Sequence, residues 1–262
     1  MLSYQHIYHA GNFADVHKHA ILAWCLQYMT AKEKPLSYIE THSGRALYRL
    51  TDQAALKTGE AAGGIYRLAA SFDADHPYRR VLAKIRKDHG ADAYPGSPLI
   101  AASLLRDIDK MSLAELHPGE YAALVAAMSA FDARCQRQDG FEMAHAVTPP
   151  TPKRGFLLID PSYEIKSDYQ KISRDIAKIT IAWNVGVIAL WYPILAKPAH
   201  NAMCDALSKA YPDALRHEVK HRPVRANHGM VGSGMFIINP PFGLDEEAQR
   251  IKQIFETAEN KD

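Results

Sequence analysis

Apolar residues at Val16, Ala20, Leu22, Ala23, Leu26 and Met29 recur with a period near 3.6 in "ADVHKHAILAWCLQYMTAKEK", and Asp15 falls in the first turn. That spacing predicts an amphipathic helix within an N-terminal motif spanning residues 1–34. A short strand follows in "PLSYIETHSG" at 35–44, closed by an acid, a polar turn and a glycine. From about 46 to 95 the pattern is helical, in "GEAAGGIYRLAA" and "YRRVLAKIRKDHG" with no strand candidate between them, which predicts a helical insertion. "MSLAELHP" at 111–118 reads as a second strand, "GEYAALVAAMSAFDA" as the helix after it, and "RCQRQDG" as a short strand and turn before another helix. The apolar strands "GFLLIDPSYE", "GVIALWYPI" and "GMFIINPPF" complete the series.

Strands alternating with helices over 262 residues, with no repeat or linker, predict one α/β domain built on a mostly parallel sheet covered on both faces. In such sheets a ligand sits beyond the carboxyl ends of the strands, where the strand order reverses. Acids close the early strands at Glu40, Glu115, Asp139 and Asp160. A set of strand-end carboxylates suits a nucleoside cofactor, because a carboxylate can accept from both ribose hydroxyls and a second one from the adenine amine. No GxGxxG or Walker loop is present, and "THSGRA" offers one glycine where a dinucleotide turn needs three, so a cofactor without phosphates is favoured. Any one such acid is as readily a helix cap, and only the set is informative.

"DPSY" at 160–163 is more specific. Methylating an exocyclic amine requires drawing its delocalised lone pair back onto nitrogen, which two acceptors on the two N–H bonds achieve. The Asp160 side chain and the Pro161 carbonyl are a natural pair, and Tyr163 can stack on a base turned out of its helix. The plainer reading is a strand-ending turn. "INPPFG" at 238–243 has the same outline at the end of the last strand and reads as structural.

Composition narrows the classes further. With 47% apolar and 23% charged residues, the chain has the means for a full core. A net charge of +2 is too mild to announce a polyanion partner, so any such site must come from local clusters. Arg80 and Lys84 share one helix face, and Arg216, Lys220, Arg222 and Arg225 form a second group; each is either a solvated surface or a set of phosphate contacts. Three scattered cysteines argue against a disulfide framework, the start "MLSYQHIYHAG" has no secretory character, and the longest apolar run, 185–195, is short of the roughly 20 residues a membrane span needs. The expectation is a soluble cytoplasmic protein. His6, His9, His17 and His19 invite a metal, but positions 17 and 19 of a helix point about 200° apart and no cysteine joins them, so no metal is expected. "ALWYPI" reads as core plus a strand end rather than a stacking platform.

The chain resembles the bacterial 23S rRNA adenine-N6 methyltransferase family, RlmJ, over nearly its whole length. The matching pieces, in order, are "MLSY", "HAGNFADVHKH", "THSG", "YPGSPLIA", "ELHP", "DG", "LIDPSYEIKSDY", "ALWYP" and "SGMFIINPPF". The resemblance implies a Rossmann-like class I methyltransferase with an antiparallel last strand and a small helical insert. It implies S-adenosylmethionine as cofactor and a flipped 23S rRNA adenine as acceptor; a monomer, and naked or partly assembled RNA as substrate, are favoured expectations that the resemblance itself does not supply. It carries cofactor contacts onto His19, His42, Ser97, Glu115, Asp139, Gly140 and Asp160, with Lys18 beside the cofactor carboxylate. Asp160 becomes the catalytic acid, Tyr4 a contact to RNA, and the two basic clusters, with Arg80, Lys84, Arg222 and Arg225, phosphate contacts. Ser162 departs from the family's Asp-Pro-Pro-Tyr, and "SGRALY" carries fewer glycines than usual. A DNA adenine methyltransferase shares the chemistry but calls for a separate target-recognition domain. A catalytically weak RNA-binding protein is the other alternative, motivated by Ser162.

Overall fold

The computed structural model describes residues 4–163, 168–197, 199–221 and 229–260. Along the chain run α1 (Phe13–Thr30), β1 (Ser37–Glu40), β2 (Leu47–Arg49), α2 (Gln53–Thr58), α3 (Glu60–Gly63), α4 (Ile65–Leu68), α5 (Pro77–His89) and β3 (Ala93–Pro95). They are followed by α6 (Ser97–Leu104), β4 (Lys110–Ala114), α7 (Pro118–Met128), β5 (Ala133–Gln136), α8 (Gly140–Val147) and β6 (Gly155–Ile159). The last third holds α9 (Asp168–Ala182), β7 (Val187–Leu195), α10 (Asn201–Ala210), β8 (Leu215–Lys220), β9 (Met230–Ile238) and α11 (Leu244–Glu259).

Seven strands form one sheet in the order β5-β4-β1-β6-β7-β9-β8. β5, β4, β1, β6 and β7 are mutually parallel, whereas β9 runs antiparallel to both β7 and β8, as expected of the last strand. The pleat explains the two cores. Tyr38, Leu113, Phe156 and Leu158 join α1, α5, α6 and α11 on one face, while Ile39, Leu157, Ile159 and Ile188 join α8, α9 and α10 on the other. β1 and β6 are buried at every position, the pattern of a parallel strand covered on both faces.

Three expectations need correction. α1 is not amphipathic: it is enclosed by α5, α6, α11 and β9, and even Asp15, His17, Lys18 and His19 are buried. Its start is set by Asn12, whose side chain accepts from the Asp15 N–H at 2.9 Å. The insertion is not purely helical, because β2 and β3 pair as a small antiparallel sheet with Tyr48 opposite Tyr94. Finally, the "LRHEVK" part of the second basic cluster is a strand, β8, with His217 and Val219 facing inward while Arg216 and Lys220 face out.

Candidate active site

The strand order turns back between β1 and β6, and their carboxyl ends open into a cavity of about 560 Å³. Volumes of several hundred Å³ are typical of small-molecule sites. The cavity wall includes Tyr4, Lys18, His19, His42, Ser97, Glu115, Asp139, Gly140, Asp160, Pro161 and Tyr163, residues far apart in sequence that share one site. No helix among the described residues is long and apolar enough to cross a membrane.

Asp160 leaves the end of β6 and is gripped by the Lys18 ammonium, which also reaches Asp15 Oδ1 at 3.1 Å. A lone buried ammonium costs several kcal/mol, and two carboxylates offset that here. Burial alone would depress Lys18, yet Asp160 and Asp15 raise its pKa. Burial likewise favours a neutral Asp15, but His6, Lys18 and His19 hold it well below the usual carboxylate range. Asp15 also accepts from His6 Nε2 and the Gly11 N–H, both at 2.9 Å. Lys18 thus lies against the catalytic candidate itself, not only beside a cofactor subsite, and it engages one oxygen of Asp160. Among the described residues no hydrogen bond reaches the other.

On the other side of the switch point, Glu115 accepts from the Gly44 N–H at 2.8 Å and the His117 N–H at 2.7 Å, and burial raises its pKa. Asp139 caps α8 by accepting from the N–H groups of Phe141 and Glu142, so for this acid the capping role is real and coexists with a place on the cavity wall. Gly140 has no alternative: a Cβ there would stand 1.9 Å from the Thr41 carbonyl oxygen. His42 bonds Thr41 Oγ1 at 2.7 Å, and Ser43 Oγ is buried with no partner among the described residues.

Glu40 corrects the set of strand-end acids. It points into the sheet's α1 face, fully buried, where Ser97 Oγ–H donates at 2.5 Å and Tyr38 O–H at 2.8 Å. Burial pushes its pKa up to about 8. It therefore supports Ser97 from beneath the cavity instead of lining it. His19 lines the wall but turns Nδ1 to Tyr94 O–H at 2.9 Å, and burial lowers its pKa to about 3.

Tyr163 adopts φ +54°, a left-handed conformation that costs about 1–2 kcal/mol for a residue with a side chain. Its O–H donates to the Trp191 carbonyl at 2.7 Å, and its ring packs 4.8 Å from Tyr169 and 6.0 Å from Trp191, contacts that hold the turn. Trp191 lines the cavity with Lys18 Nζ 5.8 Å from its ring centre, while Tyr192 is core, so "ALWYPI" divides between the two roles. Tyr4 stacks on His9 at 5.8 Å and bonds His6 at 2.8 Å on the rim.

Arg80 and Lys84 do not line the cavity: on α5, Arg80 bonds Gln27 and Lys84 pairs with Asp88 at 2.8 Å. Arg222 and Arg225 lie outside the described residues. Sequence reading missed Asp15, Ser43 and Trp191 as cavity residues. Of these, only the Asp15/Lys18 pair, three apart on a helix, carried a local signal.

A family described as "Ribosomal RNA large subunit methyltransferase D, RlmJ" matches residues 33–260. The chain is 37% identical over 256 residues to ribosomal RNA large subunit methyltransferase J of Escherichia coli K12, covering 96% of this chain and 91% of that one. It is 38% identical over 259 residues to the protein of the same description in Haemophilus influenzae, covering 96% and 92%. A crystal structure of a Legionella pneumophila protein superposes with a TM-score of 0.87 at 35% identity, covering 96% of this chain and 94% of the other. Fold, cavity and similarity agree, and the chain belongs to the ribosomal RNA large subunit methyltransferase J family.

Proposed function

We propose that this protein transfers a methyl group from S-adenosylmethionine to N6 of an adenine in 23S rRNA, acting as a monomer on naked or partly assembled RNA. The observation that carries the reading is the turn at Asp160-Pro161, opening from β6 into the same cavity as Glu115 and Asp139.

The residues fit the cofactor. Glu115 and Asp139 are suited to the ribose hydroxyls and the adenine amine, Ser43 Oγ is a buried hydroxyl still lacking a partner, and Gly140 lets the wall approach where a Cβ cannot stand. His42 and Ser97 complete that side, with His19 behind them. Bound S-adenosylmethionine supplies an activated methyl group on a positively charged sulfur.

The chain's own work is positioning and electrostatics. The open oxygen of Asp160 and the Pro161 carbonyl accept the two N–H bonds of the adenine amine, which localises its lone pair. Lys18 and Asp15 fix the Asp160 carboxylate against rotation. Tyr163, locked through Trp191, offers an aromatic face to the base. As the new N–C bond forms, the nitrogen gives up one proton, for which Asp160 is the acceptor at hand. Tyr4 on the rim is suited to the RNA strand, with Arg222 and Arg225 as further phosphate contacts.

Incubation with unmodified 23S rRNA and methyl-labelled S-adenosylmethionine tests this. The label is expected in N6-methyladenosine. A folded, cofactor-binding protein that leaves the RNA unlabelled would overturn the reading.

A further inference from the structure

His17, between Lys18 and the start of α1, plays no part in the site described above, yet it is fully buried. It belongs to a chain of hydrogen bonds that begins at the cavity. Trp191 Nε1–H donates to Ser233 Oγ at 2.9 Å; Ser233 Oγ lies 2.8 Å from His17 Nδ1; His17 Nε2 lies 2.9 Å from His217 Nδ1. Four elements contribute one member each: β7, β9, α1 and β8. Ser233 and His17 are fully buried and His217 nearly so.

An indole N–H only donates, so Ser233 Oγ accepts from it. At the other end His217 Nε2 is buried with no hydrogen-bond partner among the described residues. The protons along the chain therefore run in one of two senses: Ser233 donates to His17 Nδ1 and His17 Nε2–H to His217 Nδ1, or His217 Nδ1–H donates to His17 Nε2 and His17 Nδ1–H to Ser233 Oγ. Both imidazoles are neutral in either sense, in keeping with burial, which lowers both.

We infer that Ser233, His17 and His217 form a positioning chain that sets the Trp191 indole in the wall of the methyl-transfer cavity. The inference rests on the functional reading above. Trp191 is where such a chain matters: its ring lies beside the Lys18 ammonium that grips Asp160, and its carbonyl holds Tyr163 O–H. A Trp side chain has one polar atom, so Nε1–H is its one point of hydrogen-bonded anchorage. With that bond lost, the indole can tilt, and the spacing between Lys18, Tyr163 and the Asp160 turn loosens. Small misplacements of a reacting geometry are costly in rate.

A double-mutant cycle separates this role from plain stability. Ser233→Ala should lower single-turnover methylation of 23S rRNA about 10-fold, with affinity for S-adenosylmethionine unchanged within error. Ser233→Thr, which keeps the hydroxyl, should restore most of the rate. Trp191→Phe keeps an aromatic face and removes the N–H, so in that background Ser233→Ala should cost nothing further. An equal loss in both backgrounds would show that Ser233 acts through general stability and would overturn the inference.

A second reading is independent of activity. Nitrogen-15 NMR of the labelled imidazoles should find His17 and His217 in the same neutral tautomer, and the Trp191 indole proton should exchange slowly in wild type and faster in Ser233→Ala. Different tautomers on the two rings, or an indole indifferent to Ser233, would refute the chain. If the wild type transfers no methyl to RNA while the NMR signature holds, the functional reading fails and the chain stands only as a structural anchor of Trp191, which also overturns its catalytic role.

Discussion

Two turns in this molecule have the same outline, a polar residue, proline, a spacer and an aromatic, and they sit at opposite ends of one sheet. Asp160-Pro-Ser-Tyr163 follows β6 at the carboxyl end of the parallel strands, beside Trp191 in the middle of β7. Asn239-Pro-Pro-Phe242 follows β9, which is antiparallel, so its end lies beside the start of β7. There Asn239, at φ +54°, spends its amide N–H bonds on the carbonyls of Asn184 at 3.0 Å and Gly186 at 2.8 Å. Phe242 is 88% exposed, whereas Tyr163 is held on two sides by aromatic rings. Strand direction, not motif quality, decides which turn faces the cavity.

Substitutions at the two turns should therefore diverge. Asp160→Ala removes an acceptor on the reacting amine, and single-turnover transfer should fall by about 10³-fold or more with the thermal melt little changed; an unchanged rate would break the assignment. Lys18→Met keeps the stem but frees the Asp160 carboxylate to rotate and leaves Asp15 without its ammonium. The same assay should show a loss on the order of 100-fold, with cofactor affinity by calorimetry changing less.

The alternation of elements, the strand-end acids and the Asp160 turn were legible because each is a local pattern. What escaped was either too short or too distant. β2 and β3 have three residues each, below the length at which alternation can be seen. β8 did alternate, but its outward Arg216, Glu218 and Lys220 read as a charged surface. In sequence, Glu40 reads as a strand-end acid equivalent to Glu115, because sequence order does not say which face of the pleat a last residue occupies. Lys18 and Asp160 are 142 positions apart, and His17 and His217 are 200 apart. No periodicity links such pairs, so the crowded histidines near the N-terminus had no visible partners.

Asn239→Ala should do the opposite of Asp160→Ala. Loss of two hydrogen bonds should cost about 1–3 kcal/mol of stability in chemical denaturation, while the rate per folded molecule stays at the wild-type value. β9 connects the two ends, since it carries Ser233 toward the cavity and leads to Asn239. Its neighbour His217 is lowered to about 4 by burial first and then by Lys252, and His17 is lowered by burial and by His217. Such groups take up protons in the unfolded chain first, so the stability present above pH 6.5 is lost as pH falls toward 4. The slope is at most about 1.4 kcal/mol per pH unit for each group. Melts across that range should show the decline, and His217→Asn should flatten it; a decline of equal steepness would contradict the buried neutral pair.

Whether the Asp160 turn, and not the Asn239 turn, performs methyl transfer to adenine is decided by labelling unmodified 23S rRNA with methyl-labelled S-adenosylmethionine, digesting to nucleosides, and comparing wild type, Asp160→Ala and Asn239→Ala. N6-methyladenosine is expected from wild type and Asn239→Ala and essentially none from Asp160→Ala. Label from Asp160→Ala at the wild-type rate, or its loss in a folded Asn239→Ala protein, would contradict that expectation.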